Sequence, residues 1–313
     1  MNFLEGHGAR TEPVTPLTWG VTLISIVVII VICTMLLAAL LRQRLSESSV
    51  RTLVSPRPKD LGLVYWGVGV TAATLFAVTV WTMLSLSALS RTPENVSPVT
   101  LEVIGHQWWW ELRYHDGDPA QDFATANEIH IPVGQAVRVF LRSADVIHSF
   151  WIPQLAGKTD LIPGQINETW LHADREGVYR GQCGEFCGKQ HAHMALLVVA
   201  EPQEKFDRWR NGQLQSAPAA TGLEAKQDEQ TFAQKCGACH AVRGTTANGV
   251  YGPNLSHLAS RTTIAAGALP NTQNNLSAWI ADPQKFKPGS LMPPLELTGD
   301  QENRVVRFLE KKD

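Results

Sequence analysis

The 313-residue chain has almost no excess charge: 27 Lys and Arg stand against 29 Asp and Glu, a net of −2 with the histidines neutral. That balance excludes the basic field by which proteins hold nucleic acid, so nucleic acid is not among the expected partners. Cysteine is scarce, with five residues in all, which is no basis for a disulfide scaffold. Methionine is equally scarce. Met1 is terminal and Met35 and Met83 lie in long apolar runs, so only Met194 and Met292 remain elsewhere. Histidine is absent from both apolar runs, residues 17–41 and 61–89, so neither can hold a metal by imidazole.

Those two runs carry no charge and are each long enough to cross the ~30 Å hydrocarbon core of a bilayer. Arg42, Arg44, Arg51, Arg57 and Lys59 lie between them against Glu47 and Asp60, whereas the first sixteen residues hold one Arg and two Glu. The positive-inside bias puts the connecting loop in the cytoplasm and everything beyond Ser90 outside. A cleavable signal is the rival explanation for the first run. It lacks a basic n-region, is longer than an h-region and ends in arginines instead of small residues, so it is read as a true span. Cys33, mid-span among Ile and Val, is read as a buried, inert thiol.

The other four cysteines fall in two clusters. In Cys183-Gly-Glu-Phe-Cys187-Gly-Lys-Gln-His191-Ala-His193-Met194, thiolate, imidazole and thioether occur together, a donor set that suits copper and not calcium or magnesium. A disulfide or a tetrahedral zinc knot uses the same Cys and His residues. Met194 favours copper, because zinc rarely recruits a thioether. A further strong ligand is then expected from elsewhere. The second cluster, Cys236-Gly-Ala-Cys239-His240, is the attachment pattern of c-type haem, with both thiols forming thioethers and the histidine ligating iron. A redox-active Cys-x-x-Cys would call for a βαβ context, whereas the surroundings read as helix, Pro/Gly-rich loop and helix. Met292 is the expected second axial ligand. His257 competes for that place but lies close after the pentad, which suits a surface or packing role. Two redox centres on one chain mean electron transfer.

From Val99 to Ala200 short alternating runs such as Thr100-Leu-Glu-Val-Ile and Gln135-Ala-Val-Arg-Val-Phe-Leu-Arg predict an all-β sandwich or barrel. The first cysteine cluster then falls in a loop between a strand around Val178 and another from Ala195 to Ala200. An amphipathic stretch, 204–210, leads into a small-residue linker, 211–222. Residues 223–313 have the size of a small helical cytochrome, with basic and acidic residues nearly balanced.

Residues 90–210 closely resemble the CuA domain of cytochrome c oxidase subunit II, and the whole chain resembles the bacterial form with a cytochrome c domain at its C-terminus. Gly105-His-Gln-Trp108-Trp-Trp-Glu, Asp145-Val-Ile-His148-Ser-Phe, Gly157-Lys-Thr-Asp160-Leu-Ile-Pro-Gly164 and the Cys183–Met194 cluster carry the likeness. It implies a multidomain fold: an external segment (1–16), a two-helix transmembrane hairpin (17–90), an all-β cupredoxin-like Greek-key barrel (91–210), the linker, and an all-α class I cytochrome c domain (223–313).

The same resemblance implies a dinuclear copper centre bridged by Cys183 and Cys187, with His148 and His191 as imidazole ligands and Met194 and the Glu185 carbonyl as weak ones. His193 is read as non-coordinating. The Glu185 side chain, with Asp160 and His106 in the same polar interface, is implied at a magnesium or manganese site facing subunit I. Trp108 matches the aromatic through which electrons reach copper. Alternation in a strand would put Trp108 and Trp110 on one face, where either serves equally well as core or interfacial packing. Asp60 stands where many relatives carry a glutamate near a proton uptake path, and serves equally as a helix N-cap.

The function implied is relay of electrons from a cytochrome c donor or a cytochrome bc complex, through haem c and CuA, to subunit I of an oxidase that reduces oxygen and pumps protons. Subunit III would accompany it in the bacterial inner membrane, with both redox domains on the periplasmic face. The alternative is the corresponding subunit of a CuA-containing nitric oxide reductase. A copper carrier or a structural zinc knot would leave the haem domain unexplained.

Overall fold

The structure is a computed structural model and describes residues 4–45, 60–89 and 93–311. Its contacts divide it into two units, residues 12–92 and residues 1–11 with 93–313.

The first unit is a helix pair, α1 (Val14–Leu45) and α2 (Asp60–Leu89). Within them Val14–Arg42 and Leu61–Leu89 are long and apolar enough to cross a membrane. Apolar residues lie on every side of both helices instead of in a stripe, the pattern of a helix surrounded by apolar medium. They lie close together at Gly20, since a Cβ there would meet the Trp81 ring at 2.6 Å. Glu47, Arg51, Arg57 and Lys59 of the topology argument lie outside the described residues, as do the side chains of Arg44 and Asp60.

The second unit begins with a β-sandwich. One sheet contains β1 (Val96–His106), β2 (Trp109–His115), β3 (Phe123–Ala126), β5 (Ala136–Ser143) and β8 (Asn167–Leu171), in the order β3-β2-β1-β5-β8. The other contains β4 (Glu128–Pro132), β6 (His148–Trp151), β7 (Thr159–Leu161), β9 (Gly177–Cys183) and β10 (Ala195–Glu201), in the order β4-β10-β9-β6-β7. The chain passes repeatedly from one sheet to the other. β1 therefore pairs parallel with β5, and β4 parallel with β10, while the remaining neighbours are antiparallel. Alternation along β1 turns Val99, Leu101 and Val103 inward, into the core that also holds Trp110 of β2, Phe150 of β6 and Ile152 just after it. Each buried aromatic of this kind contributes about 1.5–3 kcal/mol by leaving water.

The runs Thr100–Ile104 and Gln135–Arg142 and the expected strand from Ala195 to Ala200 are all in strands, with β1 extending beyond its run at both ends, β5 shifted by one residue and β10 one residue longer. The short strands β6 and β7 carry too little alternation to be read locally. Trp108 is not in a strand: it sits in the turn between β1 and β2, so strand alternation does not govern where its ring points.

Helix α3 (Gln203–Leu214) continues past the expected start of the linker. A helical domain follows, with α4 (Leu223–Lys235), α5 (Gln273–Ala281), α6 (Pro283–Phe286), α7 (Gly299–Glu310) and a two-residue ladder, β11 (Thr263–Ile264) with β12 (Leu269–Pro270). Its core forms where α4 crosses α7 and the Phe232 and Phe308 rings stack at 4.6 Å. Thr298 opens α7 with a capping box to Gln301, which satisfies two otherwise orphaned backbone N–H groups.

Candidate metal and haem centres

The copper candidates meet at one end of the sandwich. Cys183 closes β9 and Met194 immediately precedes β10, so the loop between these antiparallel neighbours must turn back on itself. A short helical turn at His191–His193 directs His191 inward. His148 lies 35 residues earlier and comes from β6, which pairs with β9 through Phe150 and Cys183. The two sulfurs lie 3.7 Å apart. His148 Nδ1 is 3.9 Å from Cys183 Sγ, His191 Nδ1 is 3.6 Å and Met194 Sδ 3.8 Å from Cys187 Sγ, and the Glu185 carbonyl is 3.2 Å from Cys183 Sγ. His148, Cys183 and Cys187 form a buried cluster able to hold a metal ion. All six expected donors are therefore brought together around the sulfur pair.

This donor set fits copper. Two soft thiolates, two imidazoles, a thioether and a carbonyl exceed what one tetrahedral ion uses. The electrostatics set which protons a metal must displace. The hydrogen bond from Cys187 holds the Cys183 thiol down at about 3. Cys187 is pushed up because a second thiolate would face the first. Burial alone would push the His148 imidazole down, but its contacts with Asp145 and Cys183 outweigh it and raise the histidine. Asp145 accepts from His148 Nε2 at 2.7 Å and from the amides of Gln107 and Val146, bonds that hold its carboxyl low despite burial. A carboxylate on the far ring nitrogen is how metal-binding histidines are commonly oriented. Gly105 makes room for the ring, since a Cβ there would lie 2.7 Å from His148 Cδ2.

His193 turns away to Gln190 Oε1 at 2.7 Å and is not among the convergent donors. Glu185 and Asp160 both lie on the Lys158 ammonium, at 3.3 and 3.4 Å. His106 does not join them: it stacks on Trp109 at 4.3 Å and pairs with Glu111 at 3.0 Å.

The haem candidates surround a largely apolar cavity of about 260 Å³, lined by Cys236, Cys239, His240, Met292, Trp279 and Leu276 among others. Cys236 follows α4 directly, and Gly237 lets the backbone turn tightly against Ala233. His240 Nδ1 donates to the Pro253 carbonyl at 2.8 Å, leaving Nε2 for iron. Burial pushes this imidazole down, toward the neutral form a metal requires. Gly252 lies against the ring, where a Cβ would stand 2.5 Å from His240 Cε1. A cavity with two unpaired thiols and an imidazole on one wall and a thioether on its lining fits a covalently held haem. His257 instead bonds the Gln215 carbonyl and does not line the cavity.

The turn between β1 and β2 joins the two centres. Trp108 lines the haem cavity, and its Nε1 donates to the Cys187 carbonyl at 2.9 Å. Gln107 Nε2 donates to the same oxygen at 2.7 Å. Sequence reasoning missed Asp145 as a partner of His148, although it was visible three residues upstream. It also missed Lys287, whose Nζ donates to the Trp108 carbonyl at 2.6 Å and which no local pattern marks.

Comparison with known proteins gives a family for each of the two domains. Residues 119–201 match the family "Cytochrome C oxidase subunit II, periplasmic domain", and residues 226–312 match "Cytochrome c". Cytochrome c oxidase subunit 2 of Alkalihalophilus pseudofirmus is 40% identical over 196 residues, which cover 62% of this chain and 55% of the relative. The same subunit from Bacillus sp. (strain PS3) is 32% identical over 244 residues, covering 74% of this chain and 67% of the relative. The match thus spans little more than half of the first relative's length. The solved periplasmic domain of cytochrome oxidase subunit II from Bradyrhizobium japonicum is 32% identical, with a TM-score of 0.35 over 39% of this chain and 96% of that one. The chain belongs to the cytochrome c oxidase subunit II family, in a form that joins its periplasmic domain to a cytochrome c domain.

Proposed function

We propose that the chain is the electron-accepting subunit of a respiratory haem-copper terminal oxidase. It would take single electrons from a cytochrome c donor or a cytochrome bc complex and deliver them to catalytic subunit I for proton-coupled reduction of oxygen. The observation that supports this most is the wall shared by the two centres: Trp108 faces the cavity of Cys236, Cys239, His240 and Met292 and bonds the carbonyl of Cys187.

A dinuclear copper centre, CuA, and a haem c, bound to these residues, each supply reversible one-electron chemistry. The protein's part is to hold fixed geometry. Asp145 orients His148, Gly105 and Trp110 bound the ring, and the burial of both cysteines and Met194 keeps water from the sulfurs. Rigid, dry surroundings lower the rearrangement that accompanies each change of charge. Exposed Phe186 and the Glu185 carboxylate flank the ligands on the open side and are assigned to the contact with subunit I, where a magnesium ion would involve Glu185. The two apolar helices would anchor the subunit beside subunits I and III in the bacterial inner membrane, with the redox domains on the periplasmic face.

Electron paramagnetic resonance and absorption of the purified full chain, loaded with copper and haem, test the assignment. A seven-line copper hyperfine pattern beside a low-spin c-haem spectrum is expected. A four-line mononuclear signal, or zinc binding with haem alone, would refute the copper assignment.

A further inference from the structure

Lys287 is only 3% exposed. Its Nζ reaches the main-chain carbonyls of Trp108 at 2.6 Å and Ala265 at 3.2 Å. No carboxylate neutralises it in these contacts. Removing an ammonium from water is costly even with hydrogen bonds, and an apolar side chain of the same length would pack there without that cost. Burial pushes this amine down to about 7, and what the side chain supplies in return is two hydrogen bonds that an apolar residue would not make.

Its surroundings show what these bonds hold. Lys287 begins the Lys-Pro-Gly-Ser-Leu-Met segment that ends in Met292. Gln284 makes this segment a unit, accepting from the Gly289 amide at 2.8 Å and donating to the carbonyls of Ser290 at 2.9 Å and Met292 at 2.7 Å. Gln190, in the loop that carries the copper ligands, donates to the Pro288 carbonyl at 2.9 Å. The segment offering Met292 is thus bonded to the copper loop through Gln190, and to the Trp108 turn through Lys287. Trp108 in turn holds the Cys187 carbonyl. Two more bonds cross between the domains nearby: the Thr262 amide to Glu128 Oε2 at 2.9 Å and the Ala195 amide to the Ala266 carbonyl at 3.0 Å.

We infer that Lys287 is a positioning residue for electron transfer between the domains, fixing the Met292 segment against the Trp108 turn so that the haem and copper sites stay in one geometry. This rests on the function proposed above. The step it serves is the passage of one electron from a reduced haem to an oxidised copper pair, with no bond made or broken and no proton moved at Lys287. The Lys287 side chain lines the haem cavity beside Met292 and acts through its hydrogen bonds to the Trp108 and Ala265 carbonyls, without being a ligand of either site.

The test uses the full chain carrying both cofactors. A flash-generated ruthenium complex reduces the haem, and reoxidation of the haem is followed together with reduction of the copper. Lys287→Met is expected to slow the intramolecular phase about tenfold or more, since displacements near 1 Å can cost that much, with both spectra as in the parent; because Lys287 lines the haem cavity, both midpoint potentials are measured and the rates compared at equal driving force. Lys287→Arg keeps N–H donors at this place and is expected to recover most of the rate. An unchanged rate in Lys287→Met, with both cofactors bound, would overturn the proposal and leave the relay intact. Failure of the parent chain to show the dinuclear copper signal would instead strike at the function itself.

Amide exchange is independent of both cofactor signals, and its reading in the parent chain needs no variant. In the parent chain the Thr262 and Ala195 amides should be strongly protected. In Lys287→Met they should exchange faster while Leu101 and Val103 in β1 do not. A Thr262 amide exchanging at a solvent-like rate in the parent would show the domains unlatched, and the inference would be wrong.

Discussion

Replacing Gly105 by alanine is expected to disable the copper site while leaving the haem domain untouched. Gly105 lies in β1 between Trp110 of β2 and Ser143 of β5, so its backbone cannot shift without disturbing two ladders. An added Cβ would stand 2.7 Å from His148 Cδ2 and 3.0 Å from Cγ, against a normal carbon separation of about 3.5–4.0 Å. The ring must therefore retreat by about 1 Å. It has nowhere to go: it is fully buried, bonded to Asp145 on one nitrogen and directed at Cys183 on the other. Overpacking of this kind costs about 1–3 kcal/mol of stability. Loss of a ligand's orientation costs about 10–100-fold in metal affinity, which is about 1.4–2.8 kcal/mol. The assay is a copper titration of the full chain read by absorption and paramagnetic resonance, with haem content per chain as the internal standard. Gly105→Ala should bind copper at least about tenfold more weakly, with an altered hyperfine pattern and normal haem. Parental affinity together with a parental spectrum would refute the claim that His148 is held by close packing against β1.

Gly252→Ala should do the same to the other centre, because its Cβ would stand 2.5 Å from His240 Cε1; magnetic circular dichroism should show lost histidine ligation with the covalent haem still attached. Phe232→Ala removes a fully buried ring stacked on Phe308 and should destabilise the haem domain by about 3–5 kcal/mol in denaturant unfolding, with little effect on copper uptake. Acid should loosen the contact between the domains. Burial works to raise the Glu128 carboxyl, but its bonds to His130 and the Thr262 amide prevail and lower it. A lowered carboxyl stabilises the fold above its ordinary value near 4.5, and that stability is lost as pH falls through the lower, folded-state value. Protection of the Thr262 amide should therefore decline with acidification below about pH 4, and Glu128→Gln should remove that dependence.

The copper loop was readable from local chemistry because Cys183, Cys187, His191 and Met194 lie within one hairpin connection, where spacing and geometry coincide. His148 was not readable in this way. It came from resemblance alone, because what brings it to Cys183 is the pairing of β6 with β9, and strand pairing is non-local. The haem pentad declared itself in five residues. Met292 could be chosen by elimination because so few methionines lie outside the apolar helices. Trp108 was misplaced for a physical reason: three consecutive tryptophans look like a strand, yet the chain turns between His106 and Trp109, and the ring is set by the Cys187 carbonyl instead of by alternation. The end of α3 was also misjudged, since Asn211 and Gly212 have low helix propensity but lie in a helix that packs Phe206 and Trp209 into the sandwich core.

Composition and short motifs were enough to place the longer strands and helices, to nominate side chains that could bind soft metals and haem, and to mark runs that can cross a membrane. All of these depend on residue type and on spacings of a few residues. The meeting of the two centres depends on folding. Trp108 and Lys287 are 179 residues apart in the chain, and neither residue carries a local signal of the other. Packing of the helical domain on the end of the sandwich brings the buried ammonium to that carbonyl and the Met292 segment to the copper loop.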